Sequence, residues 1–150
     1  KYHYPRNDRE KFEICLGAIL TQNTSWAQVE VALGNLCRLG VEDGESLLSL
    51  QEEGLREAIR PAGYFNQKAK KLRIFAQFFR ETGGRPPQRD TLLALWGIGP
   101  ETADSMLLYA GRRLVFVVDA YTRRIGSRLG CPKARLSRPA RLAWWMRLAQ

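Results

Sequence analysis

Two features of this 150-residue chain carry residue types that could do chemistry. The first is the turn Gly97-Ile98-Gly99-Pro100. Glycines let backbone N–H groups approach a ligand closely, and Pro100 suits the first position of a helix, whose N-terminus favours anions. The turn is therefore a candidate phosphate site. The second feature is Asp119, twenty residues beyond Gly99. An ionised carboxylate can stabilise a developing positive charge or activate a water. Other chemistries are thinly supplied. His3 is the only histidine, which argues against histidine-based metal or triad sites. Cys15, Cys37 and Cys131 are odd in number and widely spaced. Cys15 and Cys37 fall on apolar helical faces, so buried thiols in a reducing cytoplasm are expected, not disulfides or a metal site. Catalysis must then use carboxylates, lysines or hydroxyls.

The distribution of charge singles out the same carboxylate. The net charge of +9 is not spread evenly: residues 1–110 carry 14 Lys/Arg against 14 Asp/Glu, whereas residues 112–150 carry ten against Asp119 alone. A basic block beside a candidate phosphate turn points to a polyanion partner, and its plainer alternative is a solvated tail. No apolar run approaches the roughly 18 residues that span a membrane, and no signal peptide is visible. No membrane partner is expected. The chain starts at Lys1, as a fragment or processed form would.

The elements that must position these residues read as helices. Lys1–Lys11 suggests an extended polar and aromatic arm, and Phe12–Leu20 a buried helix apolar nearly all round. Thr21–Thr24 is a polar interruption. A second helix follows with Val29, Leu33, Leu36 and Cys37 on its face and Gly40 as its stop. Ser46–Leu50 and Glu52–Arg60 make two short helices, ended by Pro61 and Gly63. Asn66–Arg80 is amphipathic, with Leu72, Phe75, Ala76 and Phe79 inward and Lys68, Lys70, Lys71 and Arg73 outward as a solvated face. Thr91–Leu95 is a short helix before the glycine turn. Ala103, Met106, Leu107 and Ala110 then mark one buried face, with Gly111 as a C-terminal stop. Leu114–Val118 could be a strand but has no partner, so it reads as a buried extended connector. Asp119 caps a helix over Ala120–Leu129, and Ser137-Arg138-Pro139 opens a last one with Leu142, Trp145, Met146 and Ala149 on one face. The chain reads as one all-α domain.

Joined to the helix on each side, Gly97-Ile98-Gly99 resembles a helix-hairpin-helix motif, which grips a DNA backbone phosphate through main-chain amides without reading sequence. With Val118-Asp119 after the connector, the arrangement resembles the helix-hairpin-helix (HhH-GPD) DNA glycosylases of the endonuclease III superfamily. Leu16-Gly17-Ala18-Ile19-Leu20-Thr21-Gln22-Asn23-Thr24, Arg60-Pro61-Ala62-Gly63-Tyr64-Phe65-Asn66-Gln67-Lys68-Ala69-Lys70-Lys71-Leu72 and Gly99-Pro100-Glu101-Thr102-Ala103-Asp104 are most similar to the 3-methyladenine DNA glycosylase III branch. The resemblance covers roughly residues 11 to 130. It implies a helical bundle of the endonuclease III-like fold with its C-terminal part incomplete. Within one domain over 1–150 it places an arm at about 1–10, a helical core at about 11–111 with the hairpin at 95–103, and the acid with basic helices at about 114–150.

The same resemblance implies a set of roles. Asp119 would stabilise the oxocarbenium-like sugar as the base leaves; its plainer role is an N-cap worth about 1 kcal/mol. Gly97, Ile98, Gly99, Glu101 and Thr102 would form the DNA-backbone hairpin. Glu101 stands where bifunctional relatives place a Schiff-base lysine, so hydrolysis without strand cleavage is expected. Gln22 would enter the duplex space left by the flipped base. Trp26, Tyr4 and Pro5 would line the base pocket, where aromatic faces suit cationic alkylated purines; the branch shows tryptophan where this chain has Tyr4. As bare sequence features, Gln22 is a loop residue, Trp26 a core residue, and Tyr4 and Pro5 part of an arm.

The expected function is a monofunctional DNA glycosylase in base excision repair, acting as a monomer on double-stranded DNA with a damaged base such as 3-methyladenine. Its place would be the cytoplasm, with the nucleoid, in a bacterium or archaeon. No cofactor is required by this reading. Only Cys131 stands where many relatives carry a four-cysteine iron–sulfur cluster, so no cluster and no other metal are expected; a monovalent cation at the hairpin, used by some relatives, is left open. Two alternatives remain: a glycosylase for another damaged or mismatched base, and a non-catalytic helix-hairpin-helix binding module. The second gains weight from Trp144, Trp145 and Met146, an apolar face with little of the chain left to cover it.

Overall fold

A computed structural model describes residues 4–85 and 87–130. The Ser137–Pro139 helix start, the Trp144–Met146 face and Cys131 lie outside the described residues. Among the described residues the chain is all helical, as the periodicity implies. The helices run α1 (Asp8–Leu20), α2 (Trp26–Arg38), α3 (Gly44–Ser49), α4 (Glu52–Ile59), α5 (Phe65–Thr82), α6 (Arg89–Ala94), α7 (Pro100–Tyr109) and α8 (Ala120–Arg128). A 3-10 turn, Arg60–Ala62, joins α4 to α5.

Helix α1 is the centre of the bundle and packs on α2, α5 and α7. It begins earlier than the hydrophobic pattern shows, because Asn7 caps it by accepting from the Glu10 N–H at 2.9 Å. The arm is shorter as a result. Phe12, Ile19 and Leu20 are fully buried, and the Phe12 ring lies 5.0 Å from Phe79 and 6.1 Å from Phe75 on α5. Helix α3 starts with a capping box between Asp43 and Ser46 and lies so close to α5 that a Cβ at Gly44 would meet the Ala76 carbonyl oxygen at 2.5 Å. Cys15 is buried as expected, and burial pushes its thiol up to about 12. Cys37 is not: it lies on the exposed edge of α2, where Ala32 takes the buried position.

Helices α6 and α7 enclose the glycine turn. Arg89 on α6 holds Asp104 on α7 in a two-pronged ion pair, Nε to Oδ1 at 2.7 Å and Nη2 to Oδ2 at 3.2 Å. Asp104 is buried, so this pair fixes the angle between the two helices. Ala103, Met106, Leu107 and Ala110 form the buried face of α7. The end of α7 differs from expectation. The left-handed residue is Arg112 (φ 52°), and Gly111 instead fits where a Cβ would meet the Leu107 carbonyl oxygen at 2.8 Å. The connector after it is extended but only partly buried: Val118 is inside, whereas Leu114 is 93% exposed. No helix is long and apolar enough to cross a membrane among the described residues.

Candidate functional site

The hairpin forms because α6 ends at Ala94 and the chain turns back through Gly97 at φ +84°, a left-handed conformation that glycine adopts without a steric penalty. The Ile98 N–H donates to the Leu95 carbonyl at 3.1 Å and the buried Ile98 side chain anchors the turn. Gly99 precedes α7, Pro100 is its first residue, and Glu101 follows in the first turn. Among the described residues no hydrogen bond engages the Gly97 or Gly99 amide. These are free donors at a helix N-terminus, the geometry that receives a phosphate.

Beside the hairpin lies a cavity of about 760 Å³. Its walls are Ile14 and Ala18 of α1, the Thr21–Asn23 break, Trp26, the hairpin glycines, and Glu101, Thr102, Ser105 and Tyr109 of α7. Trp26 is therefore not a core residue. It is 54% exposed, its ring edge sits 3.5 Å from where a Gly17 Cβ would be, and its indole N–H donates to Glu30 Oε1 at 2.9 Å. Ser105 and Tyr109 share the outer side of α7 with Glu101 at i, i+4 and i+8, a helical spacing already present in the sequence.

Gln22 does not point freely into solvent. Its Nε2 donates to the Gly97 carbonyl at 3.2 Å and the Thr102 hydroxyl at 3.0 Å, while its Oε1 accepts from Lys71 Nζ at 2.5 Å. The break after α1 is thus docked onto the hairpin. Asn23 in the same break is left-handed, at φ 56°.

Of the cationic face assigned to α5, Lys70 is exposed as expected, whereas Lys68 is buried and Lys71 and Arg73 are partly so. Lys68 is 2% exposed and donates to the Leu20 and Ala62 carbonyls, both at 2.7 Å. Burial, with the neighbouring Lys71 charge, pulls its pKa down to about 8. Arg73 donates to the Leu48 and Leu50 carbonyls, and Lys70 Nζ lies 4.5 Å over the Trp96 ring. Long stems let charged heads reach back to polar targets that period counting cannot see. For Lys68 a signal existed: it lies four residues before Leu72 and seven before Phe75, on the buried stripe itself.

Asp119 caps α8, as expected, accepting from the Thr122 N–H at 2.6 Å and the Thr122 hydroxyl at 2.7 Å. Burial raises its pKa, but these two bonds and the Tyr121 N–H outweigh it and hold the carboxyl below the usual range. Hydrogen bonding, not the surrounding cations, keeps the acid ionised. Asp119 is not among the residues that line the cavity. Neither are Tyr4 and Pro5. Arg112 contacts both: its Nη2 donates to the Pro5 carbonyl at 2.6 Å and its guanidinium lies 5.4 Å from the Tyr4 ring centre. The structure therefore brings Gln22, Trp26, Gly97, Gly99, Glu101 and Thr102 together around one cavity. Among the described residues no cluster of His, Cys, Asp or Glu could hold a metal ion.

An all-α bundle with a glycine hairpin at a helix N-terminus and a capping aspartate on the next helix defines a helix-hairpin-helix protein. The chain belongs to the HhH-GPD superfamily of base excision DNA repair proteins, matched over residues 16–145. It is 47% identical over 131 residues to a Methanocaldococcus jannaschii protein whose name assigns it provisionally to the DNA repair glycosylases, covering 80% of this chain and 60% of that relative. It is 30% identical to endonuclease III of Thermotoga maritima, over 88% of this chain and 63% of the relative. The chain thus spans about 60% of the length of these curated relatives. Among solved structures it is similar to H. pylori 3-methyladenine DNA glycosylase bound to 1,N6-ethenoadenine, with 34% identity and a TM-score of 0.74 over 79% of this chain and 61% of that one. It is also similar to endonuclease III in a non-covalent DNA complex, with 25% identity and a TM-score of 0.71 over 84% of this chain and 58% of that one.

Proposed function

We propose that the chain carries the DNA grip and the catalytic acid of a monofunctional DNA glycosylase. It would hydrolyse the N-glycosidic bond of a flipped-out alkylated purine such as 3-methyladenine and leave the strand uncut. The observation that carries this reading is the cavity beside the hairpin. It offers an aromatic face, Trp26, and a carboxylate, Glu101, at the step of the hairpin where strand-cutting relatives use a lysine. A π-face next to an acid suits a positively charged base. No lysine is among the residues lining the cavity: Lys71 is engaged by Gln22 and Lys68 by two carbonyls. This supports a reaction that forms no Schiff base.

In this mechanism the hairpin amides take a backbone phosphate, Gln22 enters the duplex, and the displaced base stacks on Trp26. Asp119, ionised at neutral pH, stabilises the positive charge that builds on the sugar. Tyr4 and Pro5, tied to Arg112, would complete the pocket from the arm. The partner is double-stranded DNA, and no step runs through a cofactor.

A second reading, a binding module that releases no base, is favoured by one observation: Asp119 does not line the cavity. Incubation with alkylated duplex DNA followed by hot alkali separates the two. Strand breaks that need the alkali, and that vanish for Asp119→Asn, are expected. DNA binding without alkali-dependent breaks would leave the module reading standing. A covalent protein–DNA complex trapped by borohydride would refute the monofunctional assignment.

A further inference from the structure

Lys71 has a placement that a lysine serving only as solvated charge would not need. Its methylenes run directly beneath the hairpin: a Cβ built on Gly97 would stand 2.6 Å from both Cγ and Cε of Lys71. The ammonium is thereby delivered to the hairpin, and its hydrogen bond is to the Oε1 of Gln22. Gln22 in turn closes onto Gly97 and Thr102 through its Nε2. Three segments far apart in sequence therefore meet through one carboxamide: the break after α1, the middle of α5, and the hairpin. Lys68, one turn earlier on α5, holds the Leu20 carbonyl and so fixes the backbone from which Gln22 projects.

We propose that Lys71 is the positioning residue that hands Gln22 from the hairpin to the duplex. In the free protein its ammonium keeps the Gln22 carboxamide docked. A phosphate arriving at the free Gly97 and Gly99 amides presents a charged oxygen to that same ammonium. The ammonium's bond to Gln22 has one charged partner and a bond to phosphate has two, so the ammonium transfers. Gln22 is then left with two neutral bonds and is free to leave. Backbone capture thereby precedes duplex invasion. The proposal rests on the reading of Gln22 as the residue that enters the DNA.

The test uses undamaged duplex DNA, so that no lesion preference enters, and follows the Gln22 side-chain NH2 by nuclear magnetic resonance, assigned by its loss in Gln22→Ala. In the parent the signal should sit in a docked position and move to a solvent-like one as the duplex saturates the protein. In Lys71→Met, which keeps most of the stem, it should be near the solvent-like position already and move little. The logarithmic salt dependence of binding should become shallower by about 0.9 in that variant, and Lys71→Arg should restore both readouts. A Gln22 signal that moves as in the parent, with an unchanged salt slope, in Lys71→Met would overturn the handover. Separately, a duplex carrying an abasic-site analogue beside 2-aminopurine reports invasion by its fluorescence rise. If Gln22→Ala gives the parent's full rise, the reading of Gln22 itself fails, and the handover falls with it.

Discussion

The hairpin and the acid lie only twenty residues apart, yet they are held by different kinds of contact. The hairpin is knitted by long-range bonds: Gln22 donates to it, Lys71 holds Gln22, and Arg89 pins α7 through Asp104. Asp119 is held by its own helix, through Thr122 and Tyr121, at the end of a half-exposed connector. Among the described residues α8 packs extensively on no other helix, and Tyr121, Ile125 and Leu129 are exposed. The difference teaches that the proposed phosphate grip is held by the bundle, whereas the acid carries its ionisation locally and takes its place relative to the cavity from the connector. Changes on one side should therefore separate binding and stability from chemistry on the other.

The largest effect is expected from Asp119→Asn. Asparagine caps a helix about as well as aspartate, so α8 should persist and thermal stability should change little. Loss of the negative charge should nonetheless slow base release by about 10²–10³-fold or more, with duplex binding within a few-fold of the parent. Single-turnover assays on alkylated DNA measure the first and fluorescence anisotropy the second. A parallel loss of binding would erase the contrast between the two regions.

Next in size is Arg89→Met, on the hairpin side. It strands the buried Asp104 carboxylate between α6 and α7, which should cost about 3 kcal/mol, read as a lower urea midpoint at unchanged slope. A midpoint like the parent's would show that the hairpin is not held as tightly as its bonds imply.

How much of this was legible in the sequence depends on what each residue answers to. The α7 face, the Pro100 start and the Asp119 cap answer to local rules, and they were readable. Lys68, Lys71 and Arg73 answer to carbonyls and a carboxamide on other elements, which no local pattern encodes, so they read as a solvated face. The cavity was half legible. The motifs point to Gln22, Trp26 and Glu101, whereas the contacts of Arg112 with Tyr4 and Pro5 have no signal in the sequence. Cys37 followed the apolar stripe of α2 yet sits at its edge, where a helix face turns to solvent.

Lys68→Met should be milder and should carry a pH signature. Two buried carbonyls, Leu20 and Ala62, lose their donor, at a cost of about 1–3 kcal/mol. In the parent, the folded protein releases the Lys68 proton near pH 8, while the unfolded chain keeps it to about 10.5. Between those values the unfolded state binds more protons, so the contribution of Lys68 to stability rises with pH across that window and is smallest below it. Urea denaturation at pH 7 and pH 10 should show this rise in the parent and its absence in Lys68→Met.

The smallest expected change is Thr122→Val, and it tests the acid's side of the comparison most directly. Valine keeps the shape of the side chain and the backbone N–H but removes the hydroxyl that donates to Asp119 Oδ1 at 2.7 Å. One bond fewer should cost about 1 kcal/mol. The hydroxyl lowers the carboxyl pKa by favouring its charged form, so its loss must raise that pKa. Base release, which in the proposed mechanism needs the ionised acid, should then fail at a higher pH on the acid limb of the rate profile, while the plateau near neutrality stays at the parent's level. Because the bond is local, duplex binding and its salt dependence should not move. A shift in the salt slope would mean that Asp119 and the hairpin share a single network after all, and an unmoved acid limb would mean that another group sets the pH dependence of the reaction.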